Sequence, residues 1–179
     1  QRCSALRILC LQDDVADHTL TMLRGAMAEC RMGNPGRLTT DIGPVIDAEA
    51  KANIEQHIQA MRAKGRTVFQ ATRENAEDSR EWQSGTFIPP TLIELESFDE
   101  LKKEVFGPVL HVVRYSRNQL ETLIEQINAS GYGLTLGVHT RIDETIAQVT
   151  GSAKVGNLYV NRNMVGAVVG VQPFGGEGL

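Results

Sequence analysis

The sequence predicts an α/β domain built on a largely parallel sheet. Short apolar runs suited to strands alternate with helical patterns of 10–17 residues, the order that parallel strands and crossover helices follow. The changeovers carry cap residues or glycines, as element boundaries do. With 179 residues, 41% hydrophobic and 22% charged, the chain has the size and composition of one ordinary globular domain with a real core.

Residues 5–11 (ALRILCL) read as the first strand, with Cys3 just before it and Cys10 within it. Asp13 and Asp14 are N-cap candidates for a helix whose apolar positions Ala16, Leu20, Leu23, Met27 and Cys30 step by 4, 3, 4 and 3. That stripe makes Cys30 a core residue, and the apolar strand does the same for Cys10. Gly33 and Pro35 end the helix. Asp47 then caps a second helix with Ala50, Ile54, Ile58 and Met61 inward, stopped by Gly65. Residues 67–69 read as a strand, and 72–84 as a polar, solvated loop whose base Trp82 shields.

Residues 87–95 are β-like, but Pro89 and Pro90 confine them to an edge or to the entry of a strand. Ser97 caps a short helical turn through Leu101. The run 108–115 (PVLHVVRY) is apolar enough to be a strand buried on both faces. Ser116 precedes a helix with Leu120, Leu123, Ile124 and Ile127 inward, stopped by Gly131. Residues 134–139 read as a strand, 142–153 as a helix facing inward with Ile142, Ile146 and Val149, and 157–160 as the last strand. No repeat, low-complexity tract or linker interrupts this order, so one domain over 1–179 is expected.

Several function classes are disfavoured. A net charge of −4 without any Lys/Arg block argues against nucleic acid as a partner. No apolar run approaches the roughly 20 residues that span a bilayer, and no signal pattern is present. Cysteines at 3, 10 and 30 give no paired C-x-x-C spacing, and His18, His57, His111 and His139 have no ligand spacing, so no metal is expected. The cysteine usage suits a reducing, cytoplasmic setting. There is no G-x-G-x-x-G after a strand, no G-x-S-x-G and no P-loop. The chain opens on a lone thiol and closes after a Gly-rich run, so it is expected to be a piece of a longer protein.

That thiol, Cys3, lies between Arg2 and Ser4. A cationic neighbour or backbone N–H groups favour the thiolate, the form that acts as a nucleophile. Taken alone, Cys3 reads more plainly as a small apolar residue near a strand. Its company is more specific: Glu104-Val105-Phe106-Gly107-Pro108-Val109 in mid-chain, and Gln172-Pro173-Phe174-Gly175-Gly176 near the end.

Together these motifs resemble the NAD(P)-dependent aldehyde dehydrogenase superfamily. Tyr132-Gly133-Leu134, Gly137-Val138, Thr140, Gly156-Asn157 and Val160-Asn161 also follow that family's pattern, so the resemblance covers essentially the whole chain. It implies a three-layer α/β/α catalytic domain of the aldehyde dehydrogenase type. Ser4 and the stretch 165–176 (VGAVVGVQPFGG) narrow the resemblance to the glutamate-semialdehyde (Δ1-pyrroline-5-carboxylate) dehydrogenases, in the form found in bifunctional bacterial proline-utilisation proteins.

By that resemblance Cys3 attacks the aldehyde carbon, the thiohemiacetal passes hydride to the nicotinamide of NAD, and water hydrolyses the resulting thioester. The Cys3 backbone N–H is a donor for the oxyanion. Glu104 accepts hydrogen bonds from the nicotinamide-ribose hydroxyls, as an acceptor-only carboxylate can, and Phe106 packs beside the nicotinamide. Without the flanking Phe-Gly-Pro, a surface Glu would be the plainer reading of Glu104; judged alone, Phe106 is equally an ordinary core residue. Gly166 and Ala167 anchor the substrate α-carboxylate through close backbone N–H groups, Ser4 adds a hydroxyl, and Phe174 packs on the aliphatic part of glutamate semialdehyde. The plainer reading of 165–176 is a flexible Gly-rich loop.

The family's general base, its oxyanion-hole Asn and its NAD-binding domain precede the nucleophile, so the 179 residues alone are expected to be inert. The upstream NAD-binding domain of the same parent chain and a further copy of the parent are the expected partners. FAD would belong to a separate proline dehydrogenase domain. From this fragment no nucleic-acid or membrane contact is expected, although such a parent can associate with membranes. An aldehyde dehydrogenase of other specificity, a non-catalytic packing or oligomerisation module and an unrelated thiol hydrolase are the alternatives.

Overall fold

The structure is a computed structural model that describes residues 2–71, 85–165, 168, 170, 171, 175 and 176. They fall into two compact units, residues 7–114 and residues 2–6 with 115–176. The polar loop expected over 72–84, with Trp82, lies outside the described residues apart from its flanks.

The first unit is a four-stranded sheet in the order β1-β4-β3-β2, formed by β1 (Ile8–Gln12), β2 (Val68–Gln70), β3 (Thr91–Leu95) and β4 (Val109–Tyr115). Strands β3 and β4 are parallel, with Leu92 opposite Leu110 and Ile93 opposite His111. The short β2 runs antiparallel to β3 at the sheet edge. Pro89 and Pro90 end just before β3, where a missing N–H removes no ladder bond. Both faces of β4 are needed inside: Val109, His111, Val112 and Val113 are buried.

Helix α1 (Asp13–Glu29) follows β1 directly. Its Ala16 and Leu20 pack with Leu11, Leu92 and Val112, with Leu23, Met27 and Phe69 partly covered around them. Fully burying side chains such as Leu20 contributes roughly 1.5–3 kcal/mol each. Asp13 and Asp14 occupy the first turn rather than the N-cap, which is Gln12. There they still favour the helix, by facing its positive end. Cys30 is not a core residue. The helix stops at Glu29 with Cys30 as its C-cap, so the inward stripe has left the core, and Cys30 Sγ lies 3.6 Å from the Ala26 carbonyl in a half-buried position. Cys10 is half-buried in β1, and burial pushes its thiol up to about 12.

Helix α2 (Ala48–Ala63) starts as its sequence requires. The Asp47 carboxylate accepts the Ala50 N–H at 2.7 Å, and Ile54, Ile58 and Met61 face inward. Gly65, at φ +77, reverses the chain after it. After β3 a single 3₁₀ turn, Phe98–Glu100, uses the Glu100 carboxylate to accept the Glu96 and Ser97 N–H groups.

The second unit holds α3 (Leu120–Ala129), β5 (Thr135–Val138), α4 (Asp143–Ser152) and β6 (Asn157–Val160). Strands β5 and β6 are parallel, with Thr135 opposite Asn157 and Val138 opposite Val160. Leu123 and Ile124 of α3 and Val149 of α4 are buried. Ile142 is exposed instead, because it is the N-cap of α4 and not part of its inward face. The expected α/β class with a largely parallel sheet is what forms, divided between two sheets.

Candidate active site

In the second unit, Cys3 and Ser4 are the central residues of a tight turn closed by the Ala5 N–H donating to the Arg2 carbonyl at 3.0 Å. The turn exposes Cys3 while burying Ser4 to 5% exposure. A thiol at a turn apex is open to a small molecule; a thiol in the following strand, as at Cys10, is shielded.

The same unit explains why the Gly-Asn motifs are glycines and asparagines. The Gly156 N–H donates to the Gly133 carbonyl at 2.8 Å, and a side chain at Gly156 would overlap the carbonyl oxygen of Gly175. Asn157, 7% exposed, donates through Nδ2 to the Gly175 carbonyl at 3.0 Å and to the Leu134 carbonyl at 3.2 Å. These contacts hold Gly175, in the closing Gly-rich run, to the ends of β5 and β6. Asn161, at φ +53, clamps Thr140 in both directions: Oδ1 accepts its N–H at 2.9 Å and Nδ2 donates to its carbonyl at 2.8 Å. Asn is among the few residues that adopt this left-handed conformation without glycine, and here the bonds to Thr140 hold it there. The substrate-anchor candidates Gly166, Ala167 and Phe174 lie outside the described residues.

In the first unit, Glu104 and Phe106 come together on the segment leading into β4. Burial alternates along it: Val105 and Gly107 are inside, whereas Glu104 is half-buried and Phe106 is 50% exposed. Gly107 has φ +145, and a Cβ there would stand 2.6 Å from Ile54 Cδ1 on α2. Only glycine combines that backbone with that approach. Val45 supports the same spot from a loop held to Thr86: the Val45 N–H donates to the Thr86 carbonyl at 2.8 Å, and the Thr86 hydroxyl donates to the Val45 carbonyl at 2.7 Å.

Arg7, just ahead of β1, organises this segment and was not among the candidates. Its Nε donates to Glu104 Oε1 at 3.1 Å, its Nη1 donates to the Gly107 carbonyl at 3.3 Å, and its Cζ stands 4.2 Å from the Phe106 ring centroid. Behind it, the Arg7 carbonyl accepts the His111 N–H at 3.0 Å and lies 3.3 Å from His111 Nδ1. A carbonyl only accepts, so Nδ1 carries the proton, and neutral His111 must then accept at Nε2. His57 Nε2, 2.8 Å away, is therefore the donor. Burial first, and the nearby His57 second, hold His111 down to about 4, while burial and then Lys64 and Lys103 lower His57. The pair is neutral near pH 7.

Comparison with known proteins decides what these motifs belong to. The aldehyde dehydrogenase family profile matches residues 1–179. The chain belongs to the aldehyde dehydrogenase family. It is 89% identical over all 179 residues to the bifunctional protein PutA of Klebsiella aerogenes, and spans 14% of that protein's length. Among solved structures, a variant of Bradyrhizobium japonicum proline utilization A (PutA) matches with a TM-score of 0.90 at 48% identity, over 99% of this chain and 17% of that one. A 1-pyrroline-5-carboxylate dehydrogenase from Thermus, solved with bound NAD, matches with a TM-score of 0.84 at 33% identity, over 99% of this chain and 33% of that one.

Within this aldehyde dehydrogenase chain, the motif positions divide by what they touch. Gly156, Asn157 and Asn161 are tied up in backbone contacts and Gly107 is packed against the Ile54 side chain, whereas Cys3 and Phe106 are exposed and Glu104 is partly so. Arg7 gave no signal of its own, because its partners begin 97 residues away. Among the described residues, no helix is long and apolar enough to cross a membrane.

Proposed function

We propose that this chain is the thiol-bearing catalytic part of an NAD-dependent dehydrogenase that oxidises L-glutamate γ-semialdehyde to glutamate, within a bifunctional, cytoplasmic proline-utilisation protein. The observation that carries this reading is the 89% identity to PutA along every residue of the chain. The Thermus relative with bound NAD supports the choice of cofactor.

The residues present fit that cofactor. Glu104 is half-exposed with a second oxygen beyond the one Arg7 engages, so its carboxylate can accept ribose hydroxyls, and the half-exposed Phe106 ring offers a flat apolar surface. When bound, NAD supplies the hydride acceptor. The rest of the chemistry runs on Cys3. Its thiolate adds to the aldehyde carbon, making a tetrahedral oxyanion for which the Cys3 backbone N–H is the donor this chain supplies. Loss of hydride leaves a thioester on sulfur. Water then adds to that carbonyl, and glutamate departs with the thiol restored. Ser4, Gly166, Ala167 and Phe174 hold the substrate's α-carboxylate end and its aliphatic part. The general base and the oxyanion Asn come from outside these 179 residues.

In the full-length parent, C3A should lower the rate of NADH formation from glutamate semialdehyde by at least about a thousandfold, as loss of a nucleophile does. NAD binding measured by calorimetry should persist. Retained turnover in C3A would refute the assignment. A parent that oxidises propionaldehyde as efficiently as glutamate semialdehyde would keep the thiol chemistry and overturn the substrate.

A further inference from the structure

We infer that Arg7 is a positioning residue for the cofactor site: it sets the orientation of the Glu104 carboxylate and the Phe106 ring, and so the affinity for the nicotinamide dinucleotide. The inference rests on the proposed reading of Glu104 and Phe106 as cofactor contacts.

One guanidinium contacts three of the four residues from Glu104 to Gly107, each in a different way. It donates to the Glu104 carboxylate (3.1 Å), donates to the Gly107 carbonyl (3.3 Å) and lies over the Phe106 ring (4.2 Å). Glu104 and Phe106 project from a segment whose inward side is Val105 and Gly107, the two buried residues between and after them. Without Arg7, both outward side chains would sample several rotamers. The Arg7 side chain is itself only 14% exposed, so it acts from beneath and leaves the outer parts of both groups open. Glu104 keeps further acceptor sites, because one Arg contact occupies only one of the four or so lone-pair positions of a carboxylate.

The base of this support is rigid as well. The Arg7 carbonyl takes two hydrogen bonds from His111, which is 1% exposed in β4 and bonded in turn to His57 of α2. The planar fork matters. A lysine supplies the charge but not two donors in fixed geometry with a flat face for the ring.

The test uses the full-length parent, with NAD dissociation constants from calorimetry and melting midpoints alongside KM for NAD and for glutamate semialdehyde. Variants E104A and F106A test the underlying reading, and each should weaken NAD binding about tenfold. Variant R7A should weaken it by a similar factor, with KM for the aldehyde within twofold of wild type. The double variant R7A/E104A should bind NAD no more weakly than the worse single one, because both remove the same arrangement. R7K, which keeps the charge and is the safer variant for folding, should bind NAD between wild type and R7A.

If E104A and F106A leave NAD affinity unchanged, the cofactor reading fails and the inference with it. If they weaken it but R7A and R7K stay within twofold of wild type, the reading stands and the Arg7 inference is overturned. Multiplicative effects in R7A/E104A would also overturn it. A fall in melting midpoint with a parallel rise in both KM values would show a merely structural role, which likewise overturns the positioning role.

Discussion

Replacing Gly107 by alanine isolates the packing that holds the Glu104–Phe106 segment in place. Two effects add. The backbone at φ +145 lies in a region that side-chain-bearing residues rarely adopt, a strain of about 1–3 kcal/mol. The new Cβ would also sit 2.6 Å from Ile54 Cδ1 and 3.5 Å from Ile54 Cγ1. Cδ1 is the far end of its side chain, but Ile54 is only 3% exposed, so it cannot swing out to solvent. Overpacking of that kind costs about 1–3 kcal/mol, and the flexible end places this case near the lower figure. The sum is about 2–4 kcal/mol, enough to move the segment instead of being absorbed.

The Gly107 carbonyl would then leave Arg7, and Phe106 would shift with it. In the full-length parent, G107A should weaken NAD binding about tenfold or more and lower the melting midpoint. I54V removes Cδ1 and separates the two effects. Alone it costs about 0.5–1.5 kcal/mol, but in G107A/I54V it should recover about 1 kcal/mol, the steric share, leaving the backbone share in place. Calorimetry and thermal unfolding on the four proteins measure the coupling. Strict additivity of the two substitutions, or a G107A protein with wild-type NAD affinity and melting midpoint, would refute the reasoning.

The His57–His111 pair predicts a pH dependence. Because His111 is held at about 4 against 6.5, the unfolded state takes up a proton first as pH falls. The stabilising contribution is therefore complete above pH 6.5 and is lost progressively down to about 4. At about 1.4 kcal/mol per pH unit, opening of β4 should become easier by about 2 kcal/mol between pH 6.5 and 5. Hydrogen exchange of peptides covering 109–115 in the parent, corrected for intrinsic rates, measures this. H111F should flatten the slope, and an unchanged slope would exclude His111 as its source. In the second unit, G156A forces a methyl group onto the Gly175 carbonyl and removes it from Asn157. Losing a bond to a buried amide costs about 1–3 kcal/mol, so KM for glutamate semialdehyde should rise about fivefold to a hundredfold while propionaldehyde kinetics change little. Equal effects on both aldehydes would refute a part for the 165–176 run in recognising glutamate semialdehyde.

Much of this chain was legible in its sequence, because period and punctuation are local. Asp47 and Gly65 bound α2, and the 4-3-4-3 stripe marks α1 as a helix, since a helix face is set by residues three and four apart. The proposed site residues could be named from the sequence for a similar reason. Cys3, Glu104 and Phe106 stand in short motifs whose spacing survives in any conformation, and the family follows from those motifs.

The supports of those residues were not legible. Arg7 meets Glu104 across 97 residues, His57 meets His111 across 54, and Asn157 meets Gly175 across 18. All of these separations lie far beyond the three or four residues over which a helix or strand period brings side chains together. Where α1 ends relative to its core was equally hidden, so the stripe gave Cys30 a buried place that the helix C-cap withholds. Local propensity and periodicity fix what each segment is. Which side chains then share a hydrogen bond depends on how the sheet orders its strands, and that is settled only when β1 lies beside β4 and brings Arg7 under Glu104.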